Sequence, residues 1–219
     1  MNIIFMVLLF VCGSIFVYNL LMTINKDLLV SYGATYEDYQ INKTVFYEGT
    51  MAKFYFQIVN GTVSLNNYHE DGKEFTQNII SDGQSFGESL LFNDLPYPMS
   101  AIVITNCTVI KLSKKKLFDL LSHNFEANFN MLKCLSDRLY YKYKMQLGIS
   151  SGNPLFKLQT LFNYFKNFSA NTAPSFYLVP HTRQQLANLT GMRVETVIRT
   201  VKKMEKEGLL KLVNGKIYY

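Results

Sequence analysis

The chain is poor in the residues that carry most enzyme and metal chemistry. It has three cysteines, Cys12, Cys107 and Cys134, far apart and with no C-x-x-C pair. That spacing excludes a disulfide framework and a zinc or iron–sulfur ligand set, and it suits a reducing cytoplasm. Its three histidines, His69, His123 and His181, are equally scattered and read as ordinary surface or core residues. No nucleophile–base pair, metal-ligating cluster or phosphate-cradling glycine loop can be assembled. No catalytic residue and no metal is therefore expected. Two further shortages are local: residues 1–25 contain no charge, and the last 39 residues contain three acidic side chains.

The uncharged start includes a nearly unbroken apolar run of 20 residues, Ile3 to Met22. Such a run can cross a bilayer. It lacks a basic leader, and bulky Val11 before Cys12 argues against lipoprotein cleavage. Two readings stand side by side. Residues 1–25 are a membrane anchor, with Lys26 and Lys43 holding the body on the cytoplasmic side, or translation begins at Met22. Either way the body is expected in the cytoplasm.

The other end is basic. Eight Lys/Arg from Arg183 to Lys216 face Glu195, Glu205 and Glu207, a net of +5 in a chain whose total is +6. A basic end on a nearly neutral body points to a polyanionic partner. Within it, Thr182 and Gln185 have the spacing of a helix capping box. Leu186 and Leu189 face inward, and Ala187 is small where a second helix must cross. Gly191 suits the sharp turn between the helices. Val197, Val201 and Met204 mark the buried stripe of a second helix starting near Arg193, and Gly208 is placed to end it. That leaves Glu195, Thr196 and Arg199 on its outer side. "LLKLVNGKIYY" alternates about Asn214-Gly215 and reads as a hairpin wing. The first turns of such a helix reach base edges in a major groove: Arg199 can donate twice to guanine, and Glu195 can accept from cytosine. Thr182, Gln184, Arg193, Thr196 and Lys216 are placed for phosphates.

Upstream, "TVFYEGT", "KFYFQIVNGTVSLNNY", "KEFTQNII" and "MSAIVITNCTVIKLS" are strand-like, with Gly49, Asn60-Gly61, Asp71-Gly72 and Asp82-Gly83 as turns between Tyr39 and Leu112. They suggest a small barrel or roll. A helix beginning "KKKLFDLL" follows Ser113, then a longer one over 124–147. Phe125, Phe129, Leu132, Leu135, Leu139 and Tyr143 form an apolar seam along it, able to pack on the roll or to pair with a second copy. "GISSGNP", residues 148–154, reads as a hinge, "LFKLQTLFNYFKNF" as a helix and "FYLVP" as a strand.

Together these features resemble the Crp/Fnr family of bacterial transcription regulators, over roughly Asp27 to Tyr219. "DGKEFTQNIISDGQSFGESLLF" looks like the family's effector-domain roll with its Gly-Glu turn, and "TRQQLANLTGMRVETVIRTVKKMEKEGLL" is similar to its helix-turn-helix. "VETVIR" is nearer the Fnr branch than the catabolite activator. The resemblance implies an α+β chain: an antiparallel β-roll of the cyclic-nucleotide-binding type over 26–123, a central dimerisation helix over 124–147, and a winged helix-turn-helix over 155–219. It implies a homodimer on palindromic double-stranded DNA with TTGA-like or TGA-containing half-sites. RNA polymerase would be a partner, and an unidentified small molecule the effector. The effector pocket would include Gly87, Glu88, Met99 and Ser100, with Lys142 and Tyr143 reaching in from the long helix. Two departures matter. Met99 stands where cyclic-nucleotide-binding members have the arginine that pairs with the cyclic phosphate, and a methionine cannot neutralise that anion. This speaks against cyclic AMP. Only Cys12 lies where the Fnr cluster cysteines would be, so no iron–sulfur cluster is expected, and no histidine can be assigned to haem. The competing class is a membrane-anchored ligand-binding or interaction protein that uses the roll alone.

Overall fold

A computed structural model describes residues 23–168 and 177–219. The expectations for the apolar start fall almost wholly outside these. Among the described residues no helix is long and apolar enough to cross a membrane.

The chain enters with helix α1 (Lys26–Ser31), capped by the Asn25 side chain. Strands β1 (Thr35–Tyr39), β2 (Thr44–Phe46), β3 (Phe54–Tyr68), β4 (Glu74–Ile80), β5 (Ser85–Phe86) and β6 (Ser100–Ser113) follow, with a 3-10 turn at Glu88–Leu91. Every pairing is antiparallel: β1, β6, β3 and β4 lie in that order, β2 also pairs with β6, and β5 with β3. The two long strands β3 and β6 are the frame of the roll. Tyr55, Ile58, Val63, Phe86, Val103, Val109 and Ile110 fill its core. Phe46 stacks on Tyr97 at 3.7 Å, and Phe56 on Phe86 at 5.3 Å. The buried Gln57 amide exchanges two hydrogen bonds with the backbone of Ile24, at 2.9 and 3.0 Å, tying the start of the described chain to the roll.

Two sequence expectations change here. Asn60-Gly61 is not a reversal: β3 runs straight through it, with register shifts against β6 at that point. A Cβ on Gly61 would lie 2.5 Å from the Asn106 carbonyl oxygen, so the glycine permits a bulge at a close backbone approach. The first strand also begins earlier than Tyr39. Acidic "TYEDY" hides it, but β1 is an outer strand, where charge is tolerated, and Glu37 pairs with Lys111 at 2.9 Å.

Helices α2 (Lys114–His123) and α3 (Phe125–Ser150) follow, and Leu117, Leu120, Ala127 and Met131 on them join the roll core. The second is longer than the sequence suggests. Gly148 does not break it: a Cβ there would lie 3.2 Å from Thr160 of the next helix, so the glycine lets the two helices cross closely. The break between the two helices is Ser151, Gly152 and Asn153, shorter than the segment 148–154 expected as a hinge. The Asn153 side chain accepts from Leu155 N–H at 3.0 Å and starts α4 (Pro154–Phe168), with proline in its favoured first position. Helices α5 (Arg183–Thr190) and α6 (Val194–Lys206) and the hairpin β7 (Lys211–Val213) and β8 (Lys216–Tyr218) complete a second core. Of "FYLVP", residues 177–179 run antiparallel beside β8, joined to Ile217 and Tyr219 by three backbone hydrogen bonds of 2.7–2.9 Å, a short pairing where a strand is expected.

Candidate nucleic-acid interface and effector site

Local chemistry sets the two-helix unit. The Thr182 hydroxyl accepts from Gln185 N–H at 3.1 Å, and the Gln185 side chain accepts from Thr182 N–H at 2.8 Å. Gly191 closes α5 in the left-handed region at φ 63°. Val197, Val201 and Met204 are buried against Leu186, Leu189, Leu158 and Phe162. Burying a valine or methionine is worth roughly 1.5–3 kcal/mol, so this stripe holds the rotation of α6. The opposite face is then decided: Glu195, Arg199, Lys202 and Lys206 are exposed along it. Glu195 and Arg199, one turn apart, form no ion pair with each other among the described residues.

The expected phosphate ligands lie on α5, at the start of α6 and in the wing. Arg193 is the N-cap residue of α6, and half-buried Thr196 is in its first turn. Thr182 caps α5, the Gln184 amide donates to Asn188 at 2.8 Å, and Lys216 is exposed in the wing. Asn214 and Gly215 both have positive φ, 49° and 75°, as the expected wing turn requires.

In the roll, Gly87 sits at φ 78°, and a Cβ on it would press to 3.2 Å against the Phe46 ring. Its neighbour Glu88 is completely buried. Arg138, on α3, donates to Glu88 Oε1 and to the Ser85 carbonyl oxygen. Burial pulls the Arg138 guanidinium down to about 10, which leaves it charged at neutral pH. Glu88 Oε2 has no hydrogen-bond partner among the described residues. The sequence reading missed Arg138; its only local signal is its place one turn before Lys142. Met99 is half-buried against the roll core, and the Ser100 hydroxyl accepts from Glu48 N–H at 3.0 Å. Lys142 donates to Gln77 of β4. Tyr143 points elsewhere. It is 63% exposed and shares an open face with Phe125 (84%) and Leu132 (58%), together with Phe129, Leu139 and Leu147. Leu135 leaves the seam and packs against the roll.

The two halves touch. The Asn188 amide of α5 donates to Glu74 Oε2 of β4 at 2.7 Å, and Lys73 Nζ donates to the Gly191 carbonyl at 3.2 Å. Phe75 lies beside Gly191. Among the described residues no cluster of His, Cys, Asp and Glu is placed to hold a metal. Burial pushes the Cys107 thiol up to about 11 and raises that of Cys134, so neither is a thiolate at neutral pH.

Two family models match, a cyclic nucleotide-binding domain over residues 36–124 and a Crp-like helix-turn-helix domain over residues 161–218. The cAMP-activated global transcriptional regulator CRP of Haemophilus influenzae is 26% identical over 174 residues, 78% of this chain and 78% of its own. The cyclic AMP receptor protein of Thermus thermophilus is 24% identical over 179 residues, 82% of this chain and 81% of its own. Solved structures share the fold. A CooA mutant from Carboxydothermus hydrogenoformans has a TM-score of 0.75 at 17% identity, over 91% of this chain and 90% of its own. The c-di-GMP responsive global regulator CLP of Xanthomonas campestris has a TM-score of 0.71 at 20% identity, over 88% and 96%. With a roll and a helix-turn-helix matched in order and joined by one long helix, this chain belongs to the Crp/Fnr family of DNA-binding transcription regulators.

Proposed function

We propose that the protein is a homodimeric, effector-gated regulator that reads a palindromic DNA site through Glu195 and Arg199. One observation carries this reading: α6 is locked by its buried stripe while both side chains stand free on its outer face. Arg199 donates to guanine O6 and N7, Glu195 accepts from cytosine N4, and Thr182, Gln184, Arg193, Thr196 and Lys216 hold phosphates. The exposed seam of α3 supports the dimer. Phe125, Leu132 and Leu139 recur every seven residues, with Phe129 and Tyr143 beside them, the spacing of a two-stranded coil. Two-fold symmetry in the protein then calls for two-fold symmetry in the DNA. RNA polymerase is the partner that the family role supplies.

The effector binds where Gly87, Glu88, Met99 and Ser100 meet Arg138, with Lys142 at the edge. The cyclic AMP named for the Haemophilus and Thermus relatives does not carry over. Met99 brings no charge to a phosphate, and Arg138 is committed to Glu88. Lys142 joins α3 to β4, and β4 joins α5 through Glu74 and Asn188, so a ligand at the roll can bias the placement of the helix-turn-helix. Such gating requires different affinities for two arrangements of the dimer. The test is selection of genomic fragments by the purified protein, with and without cell extract as a source of effector. The expected product is a palindrome with TGA-containing half-sites, whose binding weakens steeply with salt. No enriched sequence under either condition would overturn the reading.

A further inference from the structure

Ile198 is out of place on α6. The other aliphatic side chains in the body of that helix, Val197 and Val201, are buried, but Ile198 is 40% exposed. It shares a shallow groove with Glu195, Arg199, Lys202, Lys203 and Lys206, so an isoleucine sits in an otherwise charged surface. A β-branched residue lowers helix propensity relative to lysine or glutamate, so the helix itself does not favour isoleucine at a position this open to solvent. It lies three residues after Glu195 and one before Arg199, within the turns that carry the proposed base contacts.

We infer that Ile198 reads a thymine methyl group in each half-site. The C5 methyl of thymine is the apolar feature of a major-groove edge, and an apolar side chain is what recognises it. This rests on the DNA reading of the site and assigns to Ile198 a thymine of the half-site, adjacent to the base pair contacted by Arg199, that hydrogen bonding by Glu195 and Arg199 does not read. Burying one methyl group is worth roughly a four-fold change in affinity, so a symmetric site feels roughly a ten- to twenty-fold change.

The test removes only the methyl. In the selected palindrome, each symmetric pair of thymines is replaced in turn by deoxyuracil, and the full chain and Ile198→Ala are titrated against every version by fluorescence anisotropy. For the parent protein, one pair of positions is expected to lose roughly ten- to twenty-fold, and Ile198→Ala is expected to lose nothing there. On the unmodified site, the variant should match the parent protein on the uracil site. Thermal melting and binding to random DNA establish that the variant is folded. The inference is overturned if the palindrome binds but no uracil position distinguishes the two proteins. It is also overturned if Ile198→Ala binds every site as the parent does, which would leave the side chain free for a protein partner. Absence of any sequence-specific binding by the parent would instead overturn the DNA reading itself.

Discussion

The chain places a glutamate and an arginine close together twice, with opposite outcomes. In the roll, Glu88 is buried and tied to Arg138 across 50 positions of sequence. On α6, Glu195 and Arg199 lie one turn apart, exposed and unengaged with each other. The first pair is spent on holding the long helix against the roll, because a charge taken from water must be matched or it destabilises the fold. The second remains hydrated, and its hydrogen-bonding groups are available to a partner. Identical chemistry thus serves as a structural tie in one region and stands open to solvent in the other, and burial decides which.

The largest expected effect tests the free pair. Arg199→Ala should weaken binding to the selected palindrome by about 100-fold or more, since each half-site loses about 1–3 kcal/mol. Binding to random DNA, measured in the same assay, should change only a few-fold. Comparable losses on both DNAs would reduce Arg199 to a phosphate contact. The tied pair is tested by stability. Arg138→Ala strands the buried Glu88 carboxylate and should cost about 3 kcal/mol in chemical denaturation, whereas Arg138→Met with Glu88→Gln should recover most of it. A single variant as stable as the parent would mean that water already serves Glu88.

Acid should separate the two regions. Burial lowers His181, packed on the Phe165 ring, from 6.5 to about 4. The unfolded chain therefore takes up this proton at a higher pH than the folded one. Its contribution to stability is complete above pH 6.5 and falls as the pH drops towards 4, by about 3 kcal/mol. Melting followed across that window should show the winged-helix part weakening, and His181→Leu should flatten the slope. The smallest effect belongs to the contact between the regions. Asn188→Ala removes the amide that donates to Glu74 Oε2 at a half-buried site, leaves Glu74 to the buried Asn66 amide, and should cost about 1 kcal/mol. Hydrogen exchange over 183–191 should nevertheless rise; unchanged protection would show that Phe75 and Lys73 suffice to hold α5.

Much of the helix-turn-helix could be read from the chain because its determinants are neighbours. Thr182 and Gln185 cap each other, Gly191 turns α5, Asn214-Gly215 turns the wing, and Val197, Val201 and Met204 repeat at helical spacing. The roll was legible in class and strand order but not in detail. Asn60-Gly61 has the composition of a hairpin turn, yet β6 runs alongside and holds β3 extended through it. Gly148 resembles a helix breaker, but Thr160 packs against the space its missing side chain leaves. Lys142 and Tyr143 were the expected pocket cation and ring, and the side chain that meets Glu88 is Arg138 instead.

Sequence alone determined the caps, the turns, the apolar stripes and the basic end, because each depends on residues within a few positions of one another. Only the tertiary structure decided that Arg138 belongs to Glu88, that the α3 seam remains open and that Ile198 stands among the charges of α6. Those outcomes depend on which distant surfaces exclude water, and burial is a property of the packed molecule rather than of any short stretch of chain.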